Sequence, residues 1–350
     1  MIDEPKNIRP GEGLDLEKLK AYFESHLPGF TGHLEFSQFP SGFSNLTYLL
    51  KSEENEYVLR RPPFGANIKG GHDMSREFKV LSALKDVYAK VPKPVLFCDD
   101  HEVMGADFYL MKRVKGVILR GQAPKEIELK PALMRSISET TVDHLAELHL
   151  IDLEATGLAD FGKPEGYTER QVEGWIGRYY KSETDKIPQM DEAASWMQQH
   201  IPEQPQVSLI HNDYKYDNLI LNPNNLDEIV AVLDWEMATI GNPLMDMGTS
   251  LAYWAEGGDS DVLKPFSLTW LPGNFTRKEF VERYEEQTGF DLTDQLFYYV
   301  FGAFKIGVII QQIYARYKKG LTRDPRFANL IYAVMACGEN AAKALEKNKI

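Results

Sequence analysis

The sequence predicts an α+β fold of two lobes, and three observations carry that prediction. The first third holds short alternating apolar runs with one amphipathic helix among them. The remainder reads at helical period. A single hairpin signal interrupts that helical part. The lobes divide at residue 114: an N-lobe over 1–114, a β-sheet with one helix, and a helical C-lobe over 115–350 that contains the hairpin.

Glu35–Phe39 and Thr47–Leu50 alternate around Pro40-Ser41-Gly42, and Glu56–Arg60 follows the polar Glu53-Glu54-Asn55 turn. Pro62-Pro63 ends that third strand, and the glycine-rich stretch from Gly65 to Asp73 predicts a loop. Met74, Phe78, Leu81 and Leu84 then share one helical face. Val95–Cys98 and Phe108–Met111 complete the antiparallel set, and Lys115-Gly116 breaks it. Pro131 suits the first turn of a helix whose face carries Leu133, Ile137, Leu145 and Leu148. Ser208–Ile210, Leu219–Leu221 and Ile229–Leu233 are short apolar runs, the last two joined by Asn222-Pro223-Asn224-Asn225. Thr293 is placed to cap a long helix ended by Gly320, and Asp324-Pro325 opens another running to about Leu345.

Composition narrows the classes of function. The 350 residues carry 39 Lys plus Arg against 52 Asp plus Glu, a net charge of −13, which speaks against a nucleic-acid partner. Two cysteines, Cys98 and Cys337, form no disulfide framework and no zinc-binding spacing. The opening MIDEPKNIRPGEG lacks the apolar segment of a secretory signal. The most apolar stretch, Tyr298 to Ile310, is interrupted by Lys305 and reads as too short for a bilayer. A cytoplasmic protein without a membrane partner is the expectation.

The chemistry concentrates in Ile210-His211-Asn212-Asp213-Tyr214-Lys215-Tyr216-Asp217-Asn218-Leu219 and in Val232-Leu233-Asp234-Trp235-Glu236. A hairpin folds its ends together, so Asn218 at its entry and Asp234 at its exit become neighbours. An amide oxygen and a carboxylate are hard ligands that suit Mg²⁺ with phosphate oxygens in the remaining positions. Asp213, just upstream, is placed to accept the proton of a hydroxyl nucleophile. Singly, an Asp or Asn in a loop more often makes a turn or a cap. Together, in the order H-x-D-x-x-x-x-N…D, they form a phosphoryl-transfer arrangement.

That reading requires a nucleotide site in the N-lobe. The turn Ser41-Gly42-Phe43-Ser44-Asn45 between two strands is available to cover phosphates, although one glycine in a hairpin is a weak signal. The third strand ends Tyr57-Val58-Leu59-Arg60, where a kinase would read V-A-I-K. Glu77 on the following helix is placed to orient the Arg60 cation by an ion pair.

With GFSNLTY, YVLRRPP, SREFKVLSAL, FYLMKRVKG, LAELH, GLADFGKPEGY, LIHNDYKYDNLIL, VLDWEMATIGNPLMDMG and LAYW in view, the chain resembles the aminoglycoside phosphotransferase-like family of the protein-kinase-like fold. Its branch looks like the one also found fused to acyl-CoA dehydrogenases. The resemblance runs from about Phe39 to about Leu345. It implies that Asp213 receives the acceptor hydroxyl, that Asn218 and Asp234 bind Mg²⁺, and that Glu77 pairs with the strand cation. It further implies adenine beside Met111, bonded to the Lys112 carbonyl and the Val114 N–H. Asp246 would accept hydrogen bonds from the catalytic-loop backbone, and His211 would support that loop without transferring a proton. Two positions depart from the pattern. Arg60 stands where most members carry Lys, and its planar fork can still bind phosphate oxygens. Asn212 stands where many members carry Gly.

No P-loop, dinucleotide fingerprint or nucleophile elbow competes with this assignment. The expected activity is a Mg²⁺-dependent O-phosphotransferase using ATP or GTP. Its acceptor would be a small hydroxylated molecule, with a hydroxyacyl thioester favoured over an aminoglycoside by the branch. Trp175, Tyr179, Tyr253 and Trp254 are candidates for the acceptor wall or for core packing. The alternative function is a nucleotide-binding regulatory module without turnover.

Overall fold

A computed structural model describes residues 3–40, 45–52, 55–65, 72–122, 124–203 and 206–350 of the chain. In chain order they form α1 (Leu16–His26), β1 (Glu35–Gln38), β2 (Leu46–Ser52), β3 (Asn55–Arg61), α2 (Met74–Leu84), β4 (Pro94–Cys98), the one-turn α3 (His101–Met104) and β5 (Phe108–Lys112). Next come α4 (Pro131–His149), the one-turn α5 (Leu153–Thr156), α6 (Tyr167–Ser182), α7 (Pro188–Gln199), β6 (Ser208–Ile210), β7 (Leu219–Asn222), β8 (Asn225–Val232) and β9 (Thr239–Gly241). The last are α8 (Pro243–Tyr253), α9 (Arg277–Thr288), α10 (Gln295–Lys318) and α11 (Leu330–Lys347). The chain divides into two compact units, Met1–Ile118 with Leu219–Ala238, and Leu119–Asn218 with Thr239–Ile350.

The first unit is built on an antiparallel sheet of order β1-β2-β3-β5-β4. Alternation along the strands sorts its side chains. Tyr48, Leu50, Tyr57, Leu59, Phe108 and Leu110 share a buried cluster with Leu19, Phe23 and Leu27 from α1 and the residue after it. The opposite parity carries Val58 and Arg60 on β3, and Tyr109 and Met111 on β5, with Arg60 paired to Tyr109. Phe78 of α2 meets the Phe97 and Tyr109 rings at 5.5 and 6.0 Å. The sequence predicts one helix here, α2, and α1 and the one-turn α3 are additions. The signals of α1 are a Leu16/Leu19/Phe23 stripe and Asp15, whose carboxylate caps the Lys18 amide.

The hairpin forms as expected, with Leu219 opposite Val232 and Asn222 opposite Asn225. Its placement differs from the 114/115 division, because it belongs to the first compact unit and not the second. Backbone hydrogen bonds explain why. Val117 and Leu221 exchange both N–H···O bonds, at 2.9 and 2.8 Å, and the Val232 amide donates to the Lys90 carbonyl at 2.6 Å. The approach requires glycine at 116, where a Cβ would stand 2.3 Å from the Leu221 oxygen.

In the second unit α4 starts on Pro131 and buries Ile137, Leu145 and Leu148, as its pattern predicts. β6 and β9 pair antiparallel through Leu209 and Ile240. α10 is buried along most of its length and packs on α6, α7, α8 and α11. It is longer than its apolar stretch suggested. At 24 residues it is long and apolar enough to cross a membrane, and 78% of its most apolar window lies inside the protein. Thr293 does not cap it: Asp294 occupies the N-cap without a side-chain bond, and Thr293 instead bonds Asp291. The helix expected from Asp324-Pro325 is a 3-10 turn over Pro325–Phe327, and α11 begins only at Leu330. α8 and α10 cross at two glycines. A Cβ on Gly302 would lie 2.0 Å from the Gly248 carbonyl oxygen, so these two backbones touch.

Candidate functional site

In the second unit, the segment between β6 and the 3-10 turn Tyr216–Asn218 carries Asp213. Its backbone is held by the fully buried carboxylate of Asp246, near the N-terminus of α8. The His211 N–H donates to Asp246 Oδ2 at 2.7 Å and the Asn212 N–H to Oδ1 at 2.8 Å. His149 Nε2 lies 3.1 Å from Oδ2, and its Nδ1 lies 2.6 Å from the Tyr284 hydroxyl. Burial pushes the Asp246 carboxyl up, but the His149 hydrogen bond and the positive charge around it prevail and hold it below its ordinary 3.8.

Asp213 is held by polar contacts inside this unit. Its N–H donates to His211 Nδ1 at 3.2 Å, which leaves the His211 ring as an acceptor there. Asn218 Nδ2 donates to the Asp213 carbonyl at 2.8 Å and to Oδ2 at 2.9 Å. Lys215 Nζ lies 2.9 Å from Oδ1 and 4.4 Å from the centroid of the Tyr253 ring. Burial disfavours the Lys215 charge, yet Tyr253 and Asp213 outweigh it and raise its pKa. Tyr253 and Trp254 line a cavity of about 10 Å³ with Lys215 and Ser250, room for one water molecule. Trp175 and Tyr179 do not line it, and both are buried in the core.

In the first unit Arg60 is the hub. Its Nη1 lies 2.5 Å from Glu77 Oε1, and its Nη2 lies 3.0 Å from Asp234 Oδ1 and 3.4 Å from Glu236 Oε2. Glu77, on the buried face of α2, also accepts the Trp235 N–H at 3.1 Å. Asn45 donates from Nδ2 to Glu236 Oε2 at 2.6 Å, and its Oδ1 lies 3.0 Å from His72 Nδ1. Burial opposes the Arg60 charge, and the carboxylates around it, Glu77 foremost, overcome it and carry its pKa well above the ordinary guanidinium value. Burial pushes the Glu77 carboxyl up, with Arg60 offsetting part of the rise. A lysine has one nitrogen and could not divide itself this way between Glu77 and the Asp234–Glu236 pair.

Asp234 was expected at the end of a strand. It stands two residues beyond β8, in left-handed backbone at φ 66° and ψ 63°. An L-residue holds that conformation at a strain of about 1–2 kcal/mol. Its side chain is 35% exposed while those of Arg60 and Glu77 are buried, so a carboxylate edge stays reachable.

The predicted site residues thus fall into two groups, each assembled within its own unit. Arg60, Glu77, Asp234 and Asn45 form one; Asp213, Asn218, His211 and Asp246 form the other. Met111 lies in β5 opposite Val58, and Lys112 ends that strand with its N–H on the Lys93 carbonyl at 2.8 Å. Val114 packs on Ile118, Ile220 and Ala231. Ser41, Gly42, Phe43 and Ser44 lie outside the described residues. Glu236, Lys215, His149 and Lys305 were not assigned to the site from sequence. Glu236 and Lys215 stand inside the two motifs, and Lys305 is conspicuous as the one charge inside an apolar run.

The profile of the phosphotransferase enzyme family matches residues 35–281. The chain belongs to this family. It is 32% identical to acyl-CoA dehydrogenase family member 11 of Homo sapiens over 346 residues, 96% of this chain and 44% of that protein. The chain spans less than half the length of the curated relatives it matches. A crystal structure from Ralstonia eutropha, provisionally named an aminoglycoside phosphotransferase, superposes with a TM-score of 0.80 at 32% identity, covering 96% of this chain and 99% of that one. A further phosphotransferase, solved as a ternary complex with AMP-PNP and hygromycin B, shares the fold at a TM-score of 0.61 and 15% identity, over 93% of this chain and 97% of that one. The fold is the kinase-like α+β fold expected from the sequence.

Proposed function

We propose that this protein transfers the γ-phosphate of ATP or GTP to a hydroxyl of a small molecule, with Mg²⁺. The observation that carries the reading is the Asp213 carboxylate, fixed by Asn218 and Lys215 on a backbone that Asp246 holds in place. A carboxylate so held can orient an acceptor hydroxyl and take its proton as the new bond forms. Lys215 pins that carboxylate, which favours positioning as the main source of rate.

Asn218 and Asp234 each offer an oxygen donor of the type magnesium takes. The Asn218 NH₂ is spent on Asp213, so its amide oxygen is the atom left for a cation, and Asp234 presents a partly exposed carboxylate. Held by such donors, Mg²⁺ would neutralise phosphate charge. Arg60 would add positive charge, with Glu77 setting its direction. The hinge segment Met111, Lys112 and Val114 would take the base, and Ser41–Asn45 the phosphates.

For the acceptor we favour a hydroxylated acyl thioester. The support is the name acyl-CoA dehydrogenase borne by relatives in which this chain matches a part. A panel of hydroxyacyl thioesters, aminoglycosides and choline, incubated with Mg²⁺ and γ-labelled nucleotide, tests the proposal. Label on a hydroxyacyl thioester supports it. Label on an aminoglycoside alone replaces the acceptor, and tight nucleotide binding without any transfer favours a regulatory module.

A further inference from the structure

Lys305 is the one charge in the apolar core run of α10, and it is 1% exposed. A lysine that deep needs a reason, since burial of its ammonium is costly unless it is paired and bonded. Its Nζ lies 2.9 Å from the Asn212 carbonyl oxygen, 3.2 Å from Asn212 Oδ1 and 3.4 Å from Thr249 Oγ1. All three acceptors belong to the Asp213 segment or to α8, where Asp246 also stands.

Asn212 is itself unusual. It sits at φ 68°, in the left-handed region that L-residues avoid, directly before Asp213. Every polar group on it is engaged. The N–H goes to Asp246, the carbonyl and Oδ1 go to Lys305, and Nδ2 donates to the Tyr167 hydroxyl at 3.3 Å. Three helices, α6, α8 and α10, therefore converge on this one residue. The Gly248–Gly302 crossing brings α10 close enough for Lys305, one turn beyond Gly302, to reach it.

We propose that Lys305 is a positioning residue for phosphoryl transfer: it clamps the Asn212 peptide in its left-handed conformation and so aims Asp213. The proposal rests on Asp213 being the group that receives the acceptor hydroxyl. Lys305 is buried away from the surface, and it acts through Asn212. Burial lowers its pKa to about 8, with Asp246 and Asp213 opposing the fall, so the ammonium form that the clamp uses prevails at neutral pH.

The test is a double-mutant cycle between Lys305→Met and Asn212→Gly. Glycine takes a left-handed backbone without steric penalty, so a clamp on that conformation matters less to it. In the wild-type background, Lys305→Met is expected to lower kcat at least thirtyfold while KM for the nucleotide stays within threefold. In the Asn212→Gly background the same substitution is expected to lower kcat at least fivefold less. Equal losses in the two backgrounds, or a Lys305→Met enzyme as fast as wild type, would overturn the proposal. Urea unfolding of the same four proteins reads the coupling without any turnover. The shift in midpoint caused by Lys305→Met should be at least halved by Asn212→Gly, and an undiminished shift contradicts the clamp. A wild-type protein that transfers no phosphate yet shows this coupling would sink the proposed activity and leave the clamp standing.

Discussion

Glu77 Oε1 receives two hydrogen bonds at once, from Arg60 Nη1 at 2.5 Å and from the Trp235 amide at 3.1 Å. One carboxylate oxygen thereby joins the end of β3, the buried face of α2 and the segment leaving the hairpin. Arg60 completes the triangle by bonding Asp234 and Glu236 through its other nitrogen. The direction of the cation is set by the carboxylates around it.

Removing Arg60 should therefore damage stability as well as binding. Arg60→Ala leaves Glu77 buried without its cation, a loss of about 3–5 kcal/mol in denaturant unfolding. Arg60→Lys keeps the charge and loses the fork, so nucleotide affinity measured calorimetrically should fall by about tenfold, or about 1.4 kcal/mol. An Arg60→Lys protein that binds nucleotide as tightly as wild type would show that the divided fork has no part in binding.

Asp246→Asn should loosen the Asp213 segment. Two buried N–H donors lose a charged acceptor, at about 1–3 kcal/mol each. The pH dependence has a definite sign. Because folding lowers the Asp246 pKa below 3.8, its contribution is present above that value and disappears as pH falls through the lower folded one. Urea midpoints of wild type and Asp246→Asn should differ at pH 7 and converge towards pH 2.

Lys305 contributes with a slope of the same sign, in an alkaline window. The unfolded chain holds its proton up to about 10.5, the folded chain only to about 8, so the unfolded state binds more protons between those values. Stability attributable to Lys305 should rise by about 3 kcal/mol across that window and stay flat below it. Asp246, Asp213, Lys215 and Arg178 are the charged groups acting on it. Lys305→Met, compared with wild type at pH 7.5 and pH 10, should lack this rise.

The helix crossing offers a steric test. Gly302→Ala places a methyl group about 2 Å from the Gly248 carbonyl, so α8 and α10 must separate. A loss of about 1–3 kcal/mol in unfolding is expected, with a fall in turnover because Asp246 and Lys305 ride on the two helices. Unchanged turnover in a destabilised Gly302→Ala protein would separate packing from positioning.

Much of this was legible in the sequence because local chemistry fixed it. The strands of the first unit, the hairpin turn at Asn222–Asn225 and the Pro131 helix start follow from period and turn residues that act over a few positions. Arg60 and Glu77 were paired from order alone, and they meet. What escaped depends on distant partners. The hairpin joins the first unit through Val117–Leu221 backbone bonds that no period announces. Thr293 looked like a cap, but Asp291, two residues earlier, takes its hydroxyl. Glu236 and Lys305 act through contacts 176 and 93 residues away in sequence, beyond the reach of spacing arguments.

Product formation by wild type and by Asp213→Asn, with nucleotide binding measured on the same samples, decides the matter most directly. The substitution should cut γ-phosphate transfer by about 10²–10⁴-fold while the calorimetric Kd for Mg²⁺-nucleotide changes by less than about threefold. Transfer by Asp213→Asn at the wild-type rate, to the best acceptor found, would contradict the assignment of Asp213 and the mechanism built on it.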